Sequence, residues 1–237
     1  MDKKILVAPS LLSADFSSLK DEIRKIEDSG ADMIHLDIMD GHFVPNITIG
    51  PLVVAAVRRC TKMTLDSHLM IEEPHKFLRD FSDAGSDIIT IHAEAYGGAG
   101  REVKGEVLKK GMSRTTDSID EKRVKEVLKE IKSLGKRAGI SLNPDSSLCI
   151  QGILDDADMV LFMSVHPGFG GQGFIEKVLP KIRELRKVYK KDIQVDGGIN
   201  DKNAKSVIDA GANILVAGSY FFGASDKKEA VRKLRMQ

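Results

Sequence analysis

The chain alternates between short apolar segments and longer segments in which apolar residues recur every three to four positions. Short apolar segments rich in Val, Ile and Leu are typical of buried strands, whereas the spacing of three to four predicts helices with one buried face. We predict eight strands, at residues 5–9, 33–38, 63–68, 87–92, 136–142, 159–164, 193–196 and 213–217. The predicted helices lie at residues 18–29, 51–60, 74–84, 124–134, 175–189, 201–210 and 227–234.

This strict alternation predicts a parallel sheet, because parallel neighbours need a crossover connection that is usually helical. Eight strand–helix units in 237 residues match the size of an eight-stranded α/β barrel, roughly 250 residues. A doubly wound open sheet is the alternative, but the glycine-rich turn expected after its first strand is replaced by Pro-Ser-Leu-Leu-Ser at 9–13. We therefore predict an α/β fold, a (β/α)8 TIM barrel that forms a single domain over residues 1–237.

One connection is longer than the others. Residues 96–123, between the fourth and fifth predicted strands, exceed what a strand–helix connection needs and include a predicted short helix at 102–110. Because this inserted segment follows a strand, we expect it on the catalytic face, at the carboxyl ends of the barrel strands. A lid, a substrate contact, a subunit contact and an inert surface excursion all fit its sequence.

Composition excludes several classes of function. The chain has 36 Lys and Arg against 35 Asp and Glu, so it lacks the basic surplus with which general nucleic-acid binders neutralise phosphates. No apolar run approaches the ~18 residues of a membrane-spanning helix. The two cysteines, Cys60 and Cys149, are too few for a disulfide framework and indicate a reducing compartment. We expect a cytoplasmic protein with neither nucleic acid nor membrane as a partner.

Polar side chains lie at the predicted carboxyl ends of several strands. His35 and Asp37 are two positions apart on one strand and so point to the same face. If that face is the barrel interior, they meet His68 and Asp196 near the barrel axis. Two imidazoles and two carboxylates suit one divalent ion, and the mixed set does not choose among Zn²⁺, Mn²⁺, Co²⁺ and Fe²⁺. For any one of these residues, a structural hydrogen bond is the competing interpretation.

The last three connections are rich in glycine. The candidate phosphate-binding residues are Gly168, Phe169, Gly170 and Gly171 after strand six, Gly197 and Gly198 after strand seven, and Gly218 and Ser219 after strand eight. Glycine lets backbone N–H groups approach an anion, and the final loops of such barrels commonly hold a phosphate. Turn chemistry explains any one of the three loops, but their succession favours phosphate. A site built from backbone N–H groups needs no excess of basic side chains.

Five segments carry a specific resemblance to a known family. They read APSLLSADF at 8–16, HLDIMDGHFVPN at 35–46, LDSHLM at 65–70, MSVHPGFGGQ at 163–172 and VDGGIN at 195–200. The chain resembles the ribulose-phosphate 3-epimerases over nearly its whole length outside residues 96–123. The resemblance implies one divalent metal ion per subunit on His35, Asp37, His68 and Asp196. It also implies that Asp37 and Asp196 are the acid/base pair and that the protein is a homo-oligomer.

The resemblance further implies the substrate contacts. Ser10 and His68 match positions that touch the sugar, and Met39, Met70 and Met163 resemble an apolar layer around a planar intermediate, although core packing explains these methionines equally well. Epimerisation at C3 removes a proton next to a carbonyl and returns one to the opposite face. Two carboxylates can exchange these roles, while a metal ion stabilises the charge that develops on oxygen.

Two sugar phosphates are candidate substrates. The primary hypothesis is interconversion of D-ribulose 5-phosphate and D-xylulose 5-phosphate, and the alternative is the same chemistry on a hexulose phosphate, from D-allulose 6-phosphate to D-fructose 6-phosphate. Ser67 and the long segment 96–123 depart from the family pattern, and Lys109, Lys110 and Arg114 in that segment could change which sugar fits.

Two other classes of function are weaker hypotheses. A Schiff-base or decarboxylase-like lyase on the same barrel would need an interior lysine at a strand end, and the predicted strand ends offer none. A non-catalytic sugar-phosphate binder would have no use for both candidate aspartates, Asp37 and Asp196.

Overall fold

The computed structural model describes residues 3–97 and 113–236. Eight strands form one parallel sheet in the order β1-β8-β7-β6-β5-β4-β3-β2, and a parallel bridge between Ser10 and His35 joins its two edges. The strands are β1 Leu6–Pro9, β2 Met33–Met39, β3 Thr64–Met70, β4 Ile88–His92, β5 Arg137–Leu142, β6 Met159–Met163, β7 Asp192–Asp196 and β8 Ile214–Ala217. This architecture confirms the predicted (β/α)8 TIM barrel.

Helices surround the sheet and bury their apolar faces against it. They are α1 Leu19–Ser29, α2 Pro51–Cys60, α3 Leu78–Asp83, α4 Glu121–Ser133, α5 Leu179–Val188, α6 Ala204–Ala210, α7 Ser219–Gly223 and α8 Lys227–Leu234. Helix α4 shows why they form: the Asp120 side chain accepts a hydrogen bond from the backbone N–H of Arg123, and Val124, Val127 and Ile131 recur on the buried face. No helix in the described part of the chain is long and apolar enough to cross a membrane.

The structure differs from the predicted pattern of helices at three places. The predicted strict alternation of strands and helices is wrong between β5 and β6, where the described connection contains only a 3-10 turn at Gln151–Ile153. The buried side chains of Ile150, Ile153 and Ala157 pack there in place of a helix. The helix predicted at 74–84 divides into a 3-10 turn at Pro74–Lys76 and α3. Helix α7 was not predicted, because five residues are too few to show a helical period. The helix predicted at 102–110, with Lys109 and Lys110, lies outside the described residues.

The barrel interior changes character from one end to the other. Towards the amino ends of the strands it holds an apolar layer formed by Leu6, Ala8, Met33, Ile88, Met159, Ile214 and Val216. Towards the carboxyl ends the buried side chains include a polar group formed by Ser10, His35, Asp37, Asp66, His68 and His92. The fold therefore places its polar interior where α/β barrels place their active sites.

Candidate active site

The four predicted metal ligands converge at the carboxyl ends of β2, β3 and β7. His35, Asp37, His68 and Asp196 each offer one ligand atom, and these atoms all lie within 4.8 Å of one another. His35 Nε2 is 3.4 Å from His68 Nδ1 and 3.5 Å from Asp37 Oδ1. Asp196 Oδ2 lies 3.8 Å from His35 Nε2 and 4.0 Å from His68 Nδ1. The convergence that spacing predicted is therefore present.

These distances fit a single small cation. Ligands held about 2.0–2.2 Å from a tetrahedral ion lie about 3.4 Å apart, close to the separations among His35, Asp37 and His68. The outer ring nitrogens already have partners, because His35 Nδ1 is 2.8 Å from Asp66 Oδ2 and His68 Nε2 is 2.8 Å from His92 Nε2. When both rings are neutral and carry their protons on the outer nitrogens, two lone pairs face each other across 3.4 Å, and a cation bound between them would stabilise this arrangement in place of a second proton on His35.

Asp66 and Gln194 support this cluster, although neither was predicted to take part in it. The fully buried Asp66 carboxylate receives hydrogen bonds on Oδ2 from His35 Nδ1 and from Gln194 Nε2, the latter at 2.7 Å. Each precedes a predicted ligand by two positions on the same strand, His68 and Asp196 respectively. The period of two along a strand was the signal that could have found them.

Burial and neighbouring charge move the two aspartates in opposite directions. Burial raises the pKa of Asp196 to about 7, and the negative charge of Asp37 contributes to the rise. Burial also opposes ionisation of Asp37, but the charge of His35 holds the pKa of Asp37 well below its ordinary value. Pairs of titratable groups with divergent pKa values are typical of acid/base sites.

The pKa values of the two histidines also move in opposite directions. Burial lowers the pKa of His35, but the charges of Asp37 and Asp66 outweigh burial and raise it well above its ordinary value. Burial lowers the pKa of His68 to about 4. His68 is therefore a neutral ring at physiological pH, which is the form that binds a metal ion.

Ser10, just beyond β1, fixes the orientation of Asp37. Its hydroxyl donates to Asp37 Oδ2 at 2.5 Å and accepts the backbone N–H of Leu12 at 3.2 Å. This contact engages one carboxylate oxygen and leaves Oδ1 facing His35 and His68, each at 3.5 Å.

A pocket lies directly above the cluster. Its lining includes Ser10, Asp37, Met39, Met70, Met163, Gly168, Phe169, Gly170, Gly171, Asp196, Gly197, Gly198, Gly218 and Ser219. The structure thus brings the predicted substrate and phosphate residues together, with His68 as the exception. His68 lies beneath the pocket with no exposed surface, and both of its ring nitrogens face other side chains.

Close packing requires two of the pocket glycines. Gly197 has φ +125°, and a Cβ there would lie 2.6 Å from Val165 Cγ2. Gly198 has φ +64°, and a Cβ there would lie 2.7 Å from the backbone nitrogen of Phe174. Both the backbone conformation and the space exclude larger residues. The fold therefore explains these glycines by itself, and phosphate binding stays a prediction.

The glycine-rich loop after β6 is tied down from two sides. Asn46 Nδ2 donates to the Gly168 carbonyl at 2.7 Å, which joins this loop to the loop after β2. Gln172 Nε2 donates to the carbonyls of His166 and Phe169 at 2.6 and 2.8 Å. These contacts hold the loop across the pocket mouth.

The described end of the long β4–α4 connection is held by neighbouring loops. Arg114 Nη2 donates to Glu72 Oε1 at 2.5 Å and to the His42 carbonyl at 3.0 Å, and the guanidinium lies 5.2 Å from the Phe43 ring centroid. The Arg114 carbonyl accepts from Asn143 Nδ2 at 2.9 Å. Arg114 therefore links the loops after β2, β3 and β5.

Comparison with known proteins identifies the family. The model of the ribulose-phosphate 3-epimerase family matches residues 6–116 and 115–222. The ribulose-phosphate 3-epimerase of Bacillus subtilis is 49% identical over 238 residues, which cover 98% of each chain. The chain belongs to the ribulose-phosphate 3-epimerase family. That membership confirms the resemblance, the class of enzyme (an isomerase that acts as an epimerase) and a sugar phosphate as the substrate class.

Other relatives agree with this assignment. The ribulose-phosphate 3-epimerase of Synechocystis is 47% identical over 241 residues, which cover 99% of this chain and 95% of the relative. Among solved structures, KGPDC from Streptococcus mutans superposes with a TM-score of 0.70 over 99% of this chain and 97% of that chain, at 14% identity. Likeness at that identity supports the barrel fold alone.

Proposed function

We propose that the protein interconverts D-ribulose 5-phosphate and D-xylulose 5-phosphate by proton transfer at C3, with Asp37 and Asp196 as the two acid/base groups. The observation that carries this proposal is the pair of carboxylates at the floor of one pocket, with pKa values moved in opposite directions. Epimerisation needs one group that accepts a proton and one that donates it, and this pair supplies both at neutral pH.

Different residues of the pocket accept the proton, donate the proton and exclude water. Ionised Asp37, oriented by Ser10, is ready to accept a proton, and Asp196, with a pKa of about 7, is able to donate one. In the reverse direction the two exchange roles. Met39, Met70 and Met163 line the pocket and exclude water from the reacting carbon.

The metal site belongs to the same proposal. His35, Asp37, His68 and Asp196 would hold one divalent ion, whose Lewis acidity would stabilise negative charge on the ketose oxygens. The mixed imidazole and carboxylate donors leave Zn²⁺, Mn²⁺, Fe²⁺ and Co²⁺ as candidates. Dialysis against a chelator should abolish epimerisation, and restoring each ion in turn should rank them.

Phosphate recognition is assigned to the glycine-rich rim of the pocket. Backbone N–H groups of residues 168–171, 197–198 and 218–219 would face the anion, because these three loops line one side of the same pocket. Ser219→Ala removes a rim hydroxyl without adding bulk beside the packed glycines. We expect it to raise KM and leave kcat nearly unchanged.

Side-by-side kcat/KM values on D-ribulose 5-phosphate and D-allulose 6-phosphate test the choice of sugar. The proposal expects the pentulose to be favoured. A preference for the hexulose by about a hundredfold, worth about 3 kcal/mol of transition-state binding, would overturn the substrate and keep the reaction.

We also propose that the chain forms a homo-oligomer and works in the cytoplasm. Ile47 and Leu52 are apolar and 76% and 83% exposed, which makes them candidates for burial between subunits. Cys60 and Cys149 are free thiols, as expected in a reducing compartment. Light scattering of the purified protein measures the assembly directly, and a monomer at all concentrations would contradict it.

A further inference from the structure

A buried chain of hydrogen bonds runs from His68 away from the pocket. His68 Nε2 lies 2.8 Å from His92 Nε2, and His92 Nδ1 lies 3.0 Å from Glu94 Oε2. The two rings are within 21° of coplanar, with centroids 4.9 Å apart, so they meet edge to edge. None of the three side chains has exposed surface. The proposed reaction does not use His92 or Glu94.

The far end of this chain determines its polarity. Glu94 Oε1 accepts the backbone N–H of Asn143 at 2.7 Å and the Ser146 hydroxyl at 2.5 Å. A backbone N–H can only donate, and a carboxylate offers only acceptor oxygens. His92 Nδ1 must then carry a hydrogen and donate it to Glu94 Oε2.

The remaining protons follow in order. His92 with its hydrogen on Nδ1 has a lone pair on Nε2, which accepts a hydrogen from His68 Nε2. His68 therefore carries its only hydrogen on Nε2, and its Nδ1 is bare. That bare nitrogen faces His35 Nε2 at 3.4 Å and Asp37 Oδ1 at 3.5 Å.

We propose that His92 and Glu94 are positioning residues that hold His68 in the tautomer whose unprotonated Nδ1 points at the ligand cluster. This inference rests on the proposed function, because the cluster is the proposed metal site. Neither residue touches the pocket: both act through the orientation and protonation of the His68 ring.

The arrangement differs from the one at His35. His35 contacts the carboxylate of Asp66 directly, at 2.8 Å, whereas the His92 ring separates His68 from the carboxylate of Glu94. Asp37, Asp66 and Asp196 already place three carboxyl groups around the cluster. A fourth carboxylate beside His68 would raise the repulsion among them, and the His92 ring orients His68 while it keeps Glu94 one ring away.

Two glutamine substitutions make opposite predictions. In Glu94→Gln, the side-chain oxygen can still accept from Asn143 and Ser146, but its NH₂ group then faces His92 Nδ1. His92 must accept there and donate from Nε2, which moves the His68 hydrogen to Nδ1 and blocks metal ligation. In His92→Gln, the oxygen accepts from His68 and the NH₂ donates to Glu94, so the original polarity survives.

Long-range ¹H–¹⁵N NMR correlations of the histidine rings, recorded on ion-free full-length protein at neutral pH, report the tautomer of His68. Titration with Co²⁺, followed by its visible absorption, reports affinity. We expect protonation on Nε2 in wild type and His92→Gln, and on Nδ1 in Glu94→Gln. Glu94→Gln should also weaken Co²⁺ binding by about 10–100-fold. His92→Gln should retain most of the affinity.

Glu22→Gln is the matched control, because Glu22 is as buried as Glu94 but lies on α1 and pairs with Lys25. It should change neither readout. Should Glu94→Gln fail to fold, a comparison of His92→Phe with His92→Gln tests the same inference. Only the phenyl ring removes the acceptor for His68, so only His92→Phe should change the tautomer of His68 and the affinity for Co²⁺.

Wild-type tautomer and affinity in Glu94→Gln, or in His92→Phe, would overturn the inference. Wild-type protein that binds no Co²⁺ would overturn the proposed metal site instead. In that case the His68 tautomer in wild type and Glu94→Gln would still decide the positioning role.

Discussion

Both ends of the barrel place acidic side chains beside strand termini, but the two ends differ in the basic partners that these side chains have. At the amino end, a side-chain oxygen of the residue before each even-numbered strand accepts a backbone N–H from the preceding strand. The four pairs are Asp32 with Val7, Asp87 with Leu65, Asp158 with Ala138 and Asn213 with Ile193, at 2.9, 2.9, 3.0 and 3.0 Å. This repeated contact joins β1 to β2, β3 to β4, β5 to β6 and β7 to β8.

Each of these amino-end residues also has a basic partner. Arg235 and Lys4 contact Asp32, Arg58 contacts Asp87, Lys132 contacts Asp158 and Arg186 contacts Asn213. At the carboxyl end, Asp37 and Asp196 share a buried space, and no lysine or arginine within residues 3–97 and 113–236 forms an ion pair with either.

The pKa values express this difference. Burial opposes ionisation of Asp32, but hydrogen bonds from Lys4, Val7 and Arg235 lower its pKa, so the carboxylate stabilises the fold. Burial beside Asp37 raises the pKa of Asp196 instead. At the amino end, lysine and arginine partners offset the charge, which is structural. At the carboxyl end, the charge of His35 favours ionised Asp37, but burial and the charge of Asp37 still disfavour ionised Asp196, which costs stability and suits proton transfer and cation binding.

The largest effect should come from the carboxyl end. Asp37→Asn or Asp196→Asn removes a proton acceptor without changing side-chain volume, and we expect kcat to fall by about 10²–10⁴-fold. Circular dichroism should show an unchanged fold. Asp32→Asn is the matched control at the other end and should keep its activity. A loss of activity in Asp32→Asn equal to that in Asp196→Asn would erase the distinction between the two ends.

Substitution at the amino end should cost stability instead. Asp32→Ala removes the acceptor for Val7 and the partner of Arg235, and we expect the free energy of unfolding to fall by about 1–3 kcal/mol. Urea denaturation measures this loss, and kcat should stay near wild type. A fall in kcat with no loss of stability would be the reverse of the expected pattern.

The two ends should also respond to pH with opposite signs. The lowered pKa of Asp32 makes its contribution complete above 3.8 and lost as the pH falls below that value. The raised pKa of Asp196 makes its contribution complete below 3.8 and lost as the pH rises through about 7.

Chelator-treated protein should therefore lose stability between pH 4 and pH 7 on account of Asp196. Asp196→Asn should flatten that slope and raise Tm at pH 7, as measured by thermal melts across the range. An unchanged slope in Asp196→Asn would contradict the assignment.

The smallest effect is expected at Arg114. It contacts the pocket only indirectly, through Phe43, which packs against Met39 and Met70. Its ion pair with Glu72 and its contact with Phe43 are each worth about 1 kcal/mol or less. Arg114→Ala should change kcat/KM by less than about tenfold, chiefly through KM. A reversal of preference between pentulose and hexulose phosphates would instead make Arg114 a specificity determinant.

Strand period and strand ends were enough to predict the barrel and the meeting of His35, Asp37, His68 and Asp196, because side-chain direction alternates along a strand and parallel strands end on one face. The β5–β6 connection could not be predicted so simply, since Ile150 and Ile153 fill space without a helical period. The prediction of one domain over residues 1–237 stays a prediction.

The supporting contacts of the site were harder to predict from the sequence. His92 and Glu94 lie at the end of β4 and were visible as polar strand-end residues, but their order in a chain from His68 depends on ring orientation. Asp66 meets Gln194 across the barrel, a contact between residues 128 positions apart that local pattern does not encode.

Exchange of the C3 hydrogen tests the two-aspartate proposal most directly. Ribulose 5-phosphate incubated with wild-type enzyme in deuterated water should acquire deuterium at C3, and a chelator should stop the exchange. Asp37→Asn and Asp196→Asn should each slow net epimerisation by about 10²–10⁴-fold. Undiminished epimerisation by either variant, or wild-type turnover without deuterium at C3, would contradict proton transfer between Asp37 and Asp196.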